Sequence, residues 1–312
     1  MKYQDLFFWT VVLIVVAVMP GCSLISPRTS KKNTVAESRN LWQEGISLQS
    51  RGEHHEAETR FAEAVALNEK DAEIRRNYAE SLWHTGKKQE SVEQLSEALT
   101  LAGKPDTRIL LSLSEKCYDL GHNSTAVECA EKAISSADSK WNTIEENRSQ
   151  ISRAWVIRAR VHRLNNNFEL ALNDYHKAIS LCPKDREVLS ELATLQGEMG
   201  QPERALATWH SVSRLWPPSQ GEPKQVVFGR GEAYMAMRQY HLACDQFTLA
   251  NQRWPEDIGT YCRLAEAQLA SGRTREASVV AQRAVEIAPQ NPVCLALNEQ
   301  VRVALTQQQQ VR

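Results

Sequence analysis

The strongest constraint on the fold is a spacing pattern that occurs twice in nearly the same form. The stretch LACDQFTLANQRWP (Leu242–Pro255) places alanine, an aromatic residue, a second alanine and proline in order. The stretch LALNDYHKAISLCP (Leu170–Pro183) places the same residue types at the same separations. Recurrence at fixed spacing is the mark of a repeat array, in which each unit packs only on its neighbours. We therefore expect a linear stack of similar units.

Extended in both directions, the pattern divides the chain beyond residue 37 into seven units of roughly 34 residues. They begin near residues 38, 72, 107, 152, 186, 224 and 258. Small residues let two helices approach closely, a large apolar residue fills the space between them, and proline ends the second helix. The third unit has Ser114 at the small position and Ala130 at the bulky one, so we expect its packing to be looser. With only 13 glycines and 11 prolines in 312 residues, the composition is typical of an all-helical protein.

The pattern resembles the tetratricopeptide repeat, a helix-turn-helix unit of about 34 residues. The match is nearly complete in the sixth unit, with Gly231, Tyr234, Ala243, Phe247, Ala250 and Pro255. The resemblance implies an all-α, right-handed superhelical solenoid of about seven repeats. Beyond the last repeat, apolar residues recur at helical spacing, which predicts the capping helix that such a stack requires.

The amino-terminal stretch predicts export. Lys2 precedes an apolar run over residues 6–19, shorter than the roughly 20 residues of a spanning helix, and Pro20, Gly21 and Cys22 follow it. This segment resembles a bacterial lipoprotein signal, although Pro20 departs from that pattern. The resemblance implies lipidation at Cys22 and a lipid-anchored protein on the periplasmic side of the cell envelope, at the outer membrane where the host has one. An inner-membrane signal anchor and plain secretion remain alternatives.

The sequence therefore predicts eight parts. They are a signal peptide at 1–21, a lipidated and flexible tether at 22–37, repeats 1–3 at 38–140, a helical insert at 141–151, repeats 4–5 at 152–219, a linker at 220–223, repeats 6–7 at 224–291, and a capping helix and tail at 292–312. We expect the first helix of the fourth repeat to begin early, inside the insert, because residues after Thr143 favour helix.

Composition and motifs argue against several kinds of chemistry. Lys and Arg total 37 against 38 Asp and Glu, so net charge provides no drive toward nucleic acid. No CxxC occurs, and adjacent His54 and His55 would point in different directions on a helix. We expect no catalytic group, metal or cofactor. The cysteines beyond Cys22 are interpreted as packing residues, and Cys117 with Cys129 is the first candidate for a disulfide in an exported protein.

In the repeats that the chain resembles, positions 2, 5, 9 and 12 of each first helix face an inner surface that holds a peptide or helix of a partner. These positions predict a partner-binding groove formed by Arg39, Trp42, Ile46, Arg76, Trp83, Arg108, Tyr118, Arg153, Arg160, Phe228 and Met235. Aromatic and arginine side chains are frequent anchors at interfaces. Arginines at the middle of the groove suit an apolar and acidic partner segment. Alternatively, the aromatics pack on neighbouring hairpins and the arginines pair with nearby glutamates.

The function that these features indicate is a non-catalytic scaffold or assembly factor, anchored at a bacterial envelope membrane, that binds a partner protein in the groove. Similar lipoproteins assist type IV pilus assembly or outer-membrane protein insertion, which makes those roles candidates by fold analogy. The alternative is an accessory subunit that recruits a cell-envelope enzyme such as a cell-wall hydrolase. An enzyme in its own right would need a cluster of titratable groups with perturbed pKa values in the groove.

Overall fold

A computed structural model describes residues 27–137, 145–217 and 219–310 of the chain. The predicted signal peptide and Cys22 lie outside the described residues. Within those residues the chain forms fifteen α-helices and no strand. The helices are α1 (Pro27–Ser50), α2 (His54–Leu67), α3 (Ala72–His84), α4 (Lys88–Ala102), α5 (Thr107–Asp119), α6 (Asn123–Ser136), α7 (Glu145–Leu164), α8 (Phe168–Leu181), α9 (Arg186–Glu198), α10 (Pro202–Arg214), α11 (Lys224–Ala236), α12 (Tyr240–Arg253), α13 (Ile258–Ala270), α14 (Thr274–Ile287) and α15 (Pro292–Gln310).

The chain divides into two compact units, Met1–Lys104 with α1 to α4 and Pro105–Arg312 with α5 to α15. Within each unit the helices pack as successive hairpins, beginning with α1 on α2 in unit 1 and α5 on α6 in unit 2. Helix α15 packs on α14 and α13 at the end of unit 2. The prediction of an all-α repeat architecture is confirmed.

Short local signals set the helix boundaries. Asp71, Asp106 and Asp185 each precede a first helix, and each carboxylate accepts the backbone N–H two residues later at 3.0, 2.9 and 3.0 Å. Such a cap contributes about 1 kcal/mol to helix stability. Gly86 turns the chain between α3 and α4 with a φ of 89°, a conformation in which other residues are strained. The first helices α3, α5 and α9 thus begin with the same kind of aspartate cap.

Close approach of two helices depends on glycine facing a ring. Phe61 and Phe247 are fully buried, and a Cβ added at Gly45 or Gly231 would lie 2.6 or 2.5 Å from the ring opposite. Real Cβ atoms do not come so close, so only glycine permits this spacing. The small-with-large pairing predicted from the repeat is present in both hairpins.

The third repeat is more closely packed than its sequence predicts. Ser114, Ala126 and Ala130 are fully buried, and the Ser114 hydroxyl donates to the Ala126 carbonyl at 2.7 Å. A hydroxyl that finds a backbone acceptor is stable in the interior because its polar group stays satisfied. The expectation of loose packing was therefore wrong for these positions.

Two helices extend beyond the repeat boundaries read from the sequence. Helix α1 begins at Pro27, so it includes residues 27–37, which the sequence analysis assigned to the tether. Helix α7 begins at Glu145, within the predicted insert, and runs for 20 residues. Among the helices described, none is both long enough and apolar enough to cross a bilayer.

Candidate functional site

Five of the predicted groove residues belong to unit 1, namely Arg39, Trp42, Ile46, Arg76 and Trp83. Arg39 and Ile46 are exposed and the other three are half-buried. Lys88 lies 5.1 Å from the centre of the Trp83 ring, an arrangement typical of a cation–π contact. One cleft of unit 1, of about 590 Å³, is lined by residues between 44 and 63 and includes none of the five. The structure does not gather these five residues into that cleft.

In unit 2, three predicted residues do come together. Tyr118, Arg153 and Arg160 line one cleft of about 340 Å³ formed by α5, α7 and the start of α9. The guanidinium carbon of Arg160 is 6.0 Å from the centre of the Tyr118 ring. Arg153 Nη2 lies 2.5 Å from Glu115 Oε1 on the neighbouring first helix. Arg108 is exposed and does not line this cleft.

Two arginines of α7, Arg160 and Arg163, pair with glutamates of the next repeat. Arg160 Nε donates to Glu191 Oε2 at 2.9 Å and its Nη2 donates to Glu187 Oε1 at 2.8 Å. Arg163 Nε donates to Glu198 Oε2 at 2.7 Å. Hydrogen bonding to Glu191 raises the pKa of Arg160, and hydrogen bonding to Glu198 raises that of Arg163. The interpretation in which the arginines pair with glutamates is therefore correct for α7.

A buried tyrosine also holds Glu191 in place. Tyr175 of α8 is fully buried, and its hydroxyl donates to Glu191 Oε2 at 2.8 Å. Burial, and then the charge of Glu191, raise the pKa of Tyr175, so the hydroxyl keeps its proton and remains a donor. Glu191 is thus held by Tyr175 and Arg160 together. We call the group Glu115, Arg153, Arg160, Arg163, Glu187, Glu191 and Glu198 the paired stretch.

Beyond the paired stretch, between the fifth and sixth repeats, unit 2 has a mainly apolar cleft. A cleft of about 770 Å³ lies between α9, α10 and α11. Its apolar lining residues include Ala193, Ala205, Trp209, Phe228, Ala233 and Ala236. Volumes of this size are usual for clefts that hold ligands. We call it the apolar cleft. Of the predicted groove residues, Phe228 lines this cleft. Met235 does not line it; its side chain is half-buried and packs against the core cluster that contains Phe247.

Two aromatic rings in the wall of the apolar cleft pack closely against neighbouring residues. Trp209 is 3% exposed, and a Cβ added at Gly229 would lie 2.3 Å from its ring, so α11 can approach the indole only through glycine. The Phe228 ring meets the buried Phe247 ring edge-on, with centroids 5.5 Å apart. Edge-to-face pairs of this kind are favourable. The cleft is therefore preformed and does not require rearrangement to open.

The apolar cleft coincides with a junction between repeats that lacks ion pairs. First helices are bridged by Arg160 and Glu191 between α7 and α9, and by Arg263 and Glu232, 2.6 Å apart, between α11 and α13. In the described part of the chain no ion pair joins α9 to α11. The cleft at this junction is mainly apolar, with Glu198, Lys224 and Glu232 also in its lining.

The short insert before α11 is anchored beside this junction. Glu222 accepts two hydrogen bonds from the nearly buried Arg230, at 2.9 and 2.6 Å. Burial raises the pKa of Glu222, but hydrogen bonds from Arg230 and Ser213 and the charges of Arg230 and Arg253 together lower it more, so the pKa lies below its usual value. The insert is thus held to α11 by a charge-assisted contact, which is stronger than a neutral one.

Sequence reasoning missed the contribution of the fifth repeat. Positions 2, 5, 9 and 12 of α9 are Glu187, Ser190, Thr194 and Gly197. The first two line a cleft of about 730 Å³ with Trp216, and the last two line the apolar cleft. The position rule used for the other repeats would have identified all four. No cluster of three or more His, Cys, Asp or Glu arranged for a metal ion is found among the residues with described positions.

Comparison with known proteins identifies the repeat. The sequence model of the tetratricopeptide repeat matches residues 43–106, 152–185 and 258–291. No curated protein sequence matches the chain.

Three solved structures have a similar fold. PilF of Pseudomonas aeruginosa has a TM-score of 0.59 and 15% identity, covering 77% of this chain and 99% of that one. A tetratricopeptide repeat protein of Parabacteroides merdae has a TM-score of 0.58 and 16% identity, covering 86% and 99%. PilW, a widely conserved type IV pilus biogenesis factor, has a TM-score of 0.60 and 13% identity, covering 70% and 94%. Such identities establish likeness of fold alone. The matched segments show that the chain contains tetratricopeptide repeats.

Proposed function

We propose that the chain is a non-catalytic interaction scaffold at a bacterial envelope membrane, which binds a segment of a partner protein on the inner face of unit 2. The observation that carries this proposal is the apolar cleft, a preformed cleft of about 770 Å³ with Trp209 and Phe228 in its lining. Apolar surface left open between two packed repeats is stabilised when another protein covers it. Tetratricopeptide repeats are interaction modules, which agrees with this use of the cleft.

The chemistry of the partner segment follows from the two parts of the inner face. The paired stretch holds three arginines and four glutamates, so it has little net charge to attract an acidic segment. An apolar side chain of the partner fits the apolar cleft, and polar groups next to it meet the paired stretch. We therefore replace the sequence-based expectation of an acidic partner by that of a segment with an apolar anchor and little net charge.

The envelope location rests on the amino-terminal sequence, with the apolar run and Cys22 as its evidence. PilF and PilW are similar to this chain in fold, and PilW is named as a type IV pilus biogenesis factor. A role in assembling an envelope structure is the corresponding candidate here. Recruitment of a cell-envelope enzyme is the second candidate, and the identity of the partner separates the two.

Site-specific photo-crosslinking in the native host tests the binding proposal. A photo-reactive amino acid at Ala236, exposed and lining the apolar cleft, is compared with the same amino acid at Ala207, exposed on α10 outside it. We expect one partner to be linked from Ala236 and not from Ala207, with a linked peptide that contains an apolar residue. Equal linking from both positions, or none from Ala236, would reject the cleft as the binding site.

The anchor is tested separately by replacing Cys22. We expect the Cys22→Ala variant to lose the attached lipid in mass spectra and to leave the membrane fraction. Retention of this variant in membranes without lipid would support the inner-membrane signal anchor. Because the crosslinking readout does not depend on the lipid, either proposal can fail alone.

A further inference from the structure

Two cysteine sulfur atoms are in direct contact at the carboxyl-terminal end of unit 2. Cys262 of α13 and Cys294 of α15 have their Sγ atoms 3.8 Å apart, and both thiols are free. They are 6% and 0% exposed and belong to the same core cluster. The sequence analysis favoured Cys117 and Cys129 for a disulfide, because both belong to one hairpin. The geometry draws attention to a different pair, which is separated by 32 residues in the chain.

The separation is small enough for a bond to form by side-chain adjustment. A disulfide requires an S–S distance of about 2.05 Å, so each sulfur atom has to move by roughly 0.9 Å. In the described part of the chain, helix α15 packs mainly against α14 and α13, and residues such as Val303 on its other side are exposed. A terminal helix with one packed side can shift by this amount without disturbing a neighbour beyond it.

We propose that Cys262 and Cys294 form a disulfide when the chain folds in an oxidising compartment, and that this bond fastens the capping helix α15 to the last repeat. The oxidant is a disulfide of the thiol–disulfide oxidoreductase class, or glutathione disulfide. One cysteine thiolate attacks it and forms a mixed disulfide, releasing one thiol of the oxidant. The second cysteine thiolate then displaces the other thiol, so that two protons and two electrons leave the protein as the S–S bond forms.

The environment of the pair determines when the reaction occurs. Burial, and then the contact with Cys294, raise the pKa of Cys262, so few thiolates exist once α15 has docked. Only the thiolate reacts in disulfide exchange. Oxidation therefore takes place during folding, before α15 covers Cys262. After docking, the same burial shields the bond from reductants.

The functional consequence is a firmer end of the repeat stack. Among the described helices α15 has one packed side, and a helix packed on one side opens more readily than one packed on both. A bond between α13 and α15 closes a loop around α14 and limits this opening. The inference does not depend on partner binding or on lipidation.

Refolding of the full chain in a glutathione redox buffer, followed by peptide mapping without reductant, tests the proposal. Trypsin releases Cys262 within residues 254–263 and Cys294 within residues 284–302. We expect these two peptides to be joined and to separate on reduction. We also expect the melting temperature of the oxidised protein to exceed that of the reduced protein by about 5 °C. Amide exchange in α15 should slow by about tenfold on oxidation, through reduced local opening.

Two double variants provide the controls. In Cys262→Ala/Cys294→Ala the difference between oxidising and reducing conditions is expected to disappear, whereas in Cys117→Ala/Cys129→Ala it is expected to persist. The Ala pairs keep both sites apolar, so each variant can fold. Joined peptides that contain Cys117 and Cys129, or free thiols at both Cys262 and Cys294 after refolding, would overturn the proposal.

Discussion

The paired stretch and the apolar cleft are neighbouring regions of unit 2 that share Glu198, yet the contacts between successive first helices differ in the two regions. In the paired stretch, Arg160 reaches Glu191 of the next first helix at 2.9 Å. At the apolar cleft no such bridge is found among described residues, and Trp209 and Phe228 line open space. The two charged side chains of an ion pair satisfy each other. An exposed apolar surface, in contrast, is buried only when another molecule covers it. Under the proposed function, the apolar cleft contributes the binding energy, and the paired stretch holds the first helices α5, α7 and α9 together.

The largest change in stability is expected from removing the indole of Trp209, which lines the cleft and is also part of the core of its repeat. Trp209→Ala should lower the free energy of unfolding by about 3–5 kcal/mol, because a large ring that is 3% exposed leaves a cavity. The matched control is His210→Ala at the neighbouring exposed position, with an expected change below about 0.5 kcal/mol. Urea unfolding measures both. Similar small changes for the two variants would mean that Trp209 does not support the cleft.

A medium effect is expected in the paired stretch. Glu191→Ala should cost about 2 kcal/mol, because it leaves the buried Tyr175 hydroxyl and part of Arg160 without an acceptor. Glu187→Ala removes another carboxylate from the same arginine, but that side chain is 75% exposed, so a loss below about 0.5 kcal/mol is expected. If the two variants lose equal stability in urea titrations, the paired stretch does not depend on the buried contact.

A pH-dependent effect is expected at the insert beside the cleft. The folded pKa of Glu222 lies below the value of 4.5 expected when unfolded, so the folded state favours the carboxylate. Its stabilisation is complete above about pH 5 and decreases as the pH falls below 4.5 through the folded pKa. The stability difference between wild type and Glu222→Gln should therefore be constant from pH 7 to about pH 5 and shrink at lower pH. A difference that grows on acidification would contradict the assignment.

The smallest effect is expected at the edge of the cleft. A Cβ at Gly197 of α9 would meet no atom within 4 Å, and its φ is not in the left-handed region. Gly197→Ala should therefore raise stability by about 0.5 kcal/mol through helix propensity. Thermal unfolding of this variant and wild type checks the sign. A loss of stability would show that the cleft has less room at Gly197 than the structure gives it.

The sequence allowed the repeats to be predicted because their signals are local. Gly231 and Phe247 recur at the spacing that one hairpin needs, and Asp185 caps a helix with its own neighbours. Helical content of α1 ahead of residue 38 was not predicted, since its sequence there has no apolar periodicity. Local pattern therefore locates hairpins better than it locates the ends of the array.

The electrostatic character of the groove was harder to predict, because its partners are non-local. Arg160 and Glu191 are 31 residues apart, as are Glu232 and Arg263, which is close to one repeat period. An arginine read alone suggests an acidic ligand, whereas its glutamate lies three residues before the equivalent position of the next repeat, which is Thr194. For the apolar cleft the position rule covers Thr194 and Gly197 of α9, but Trp209 lies on the second helix of that repeat, outside the rule, so its contribution could not be predicted in this way.

The central claim, that the apolar cleft binds the partner, is tested most directly by filling it. The crosslinked partner segment, made as a peptide, is titrated by calorimetry into wild type, Gly197→Phe and Ala207→Phe. Gly197→Phe places a ring at the open edge of the cleft, and Ala207→Phe places the same ring at an exposed position outside it. We predict that Gly197→Phe weakens binding by at least about tenfold, or 1.4 kcal/mol, while Ala207→Phe leaves the affinity unchanged. Equal affinity for all three proteins would contradict the account.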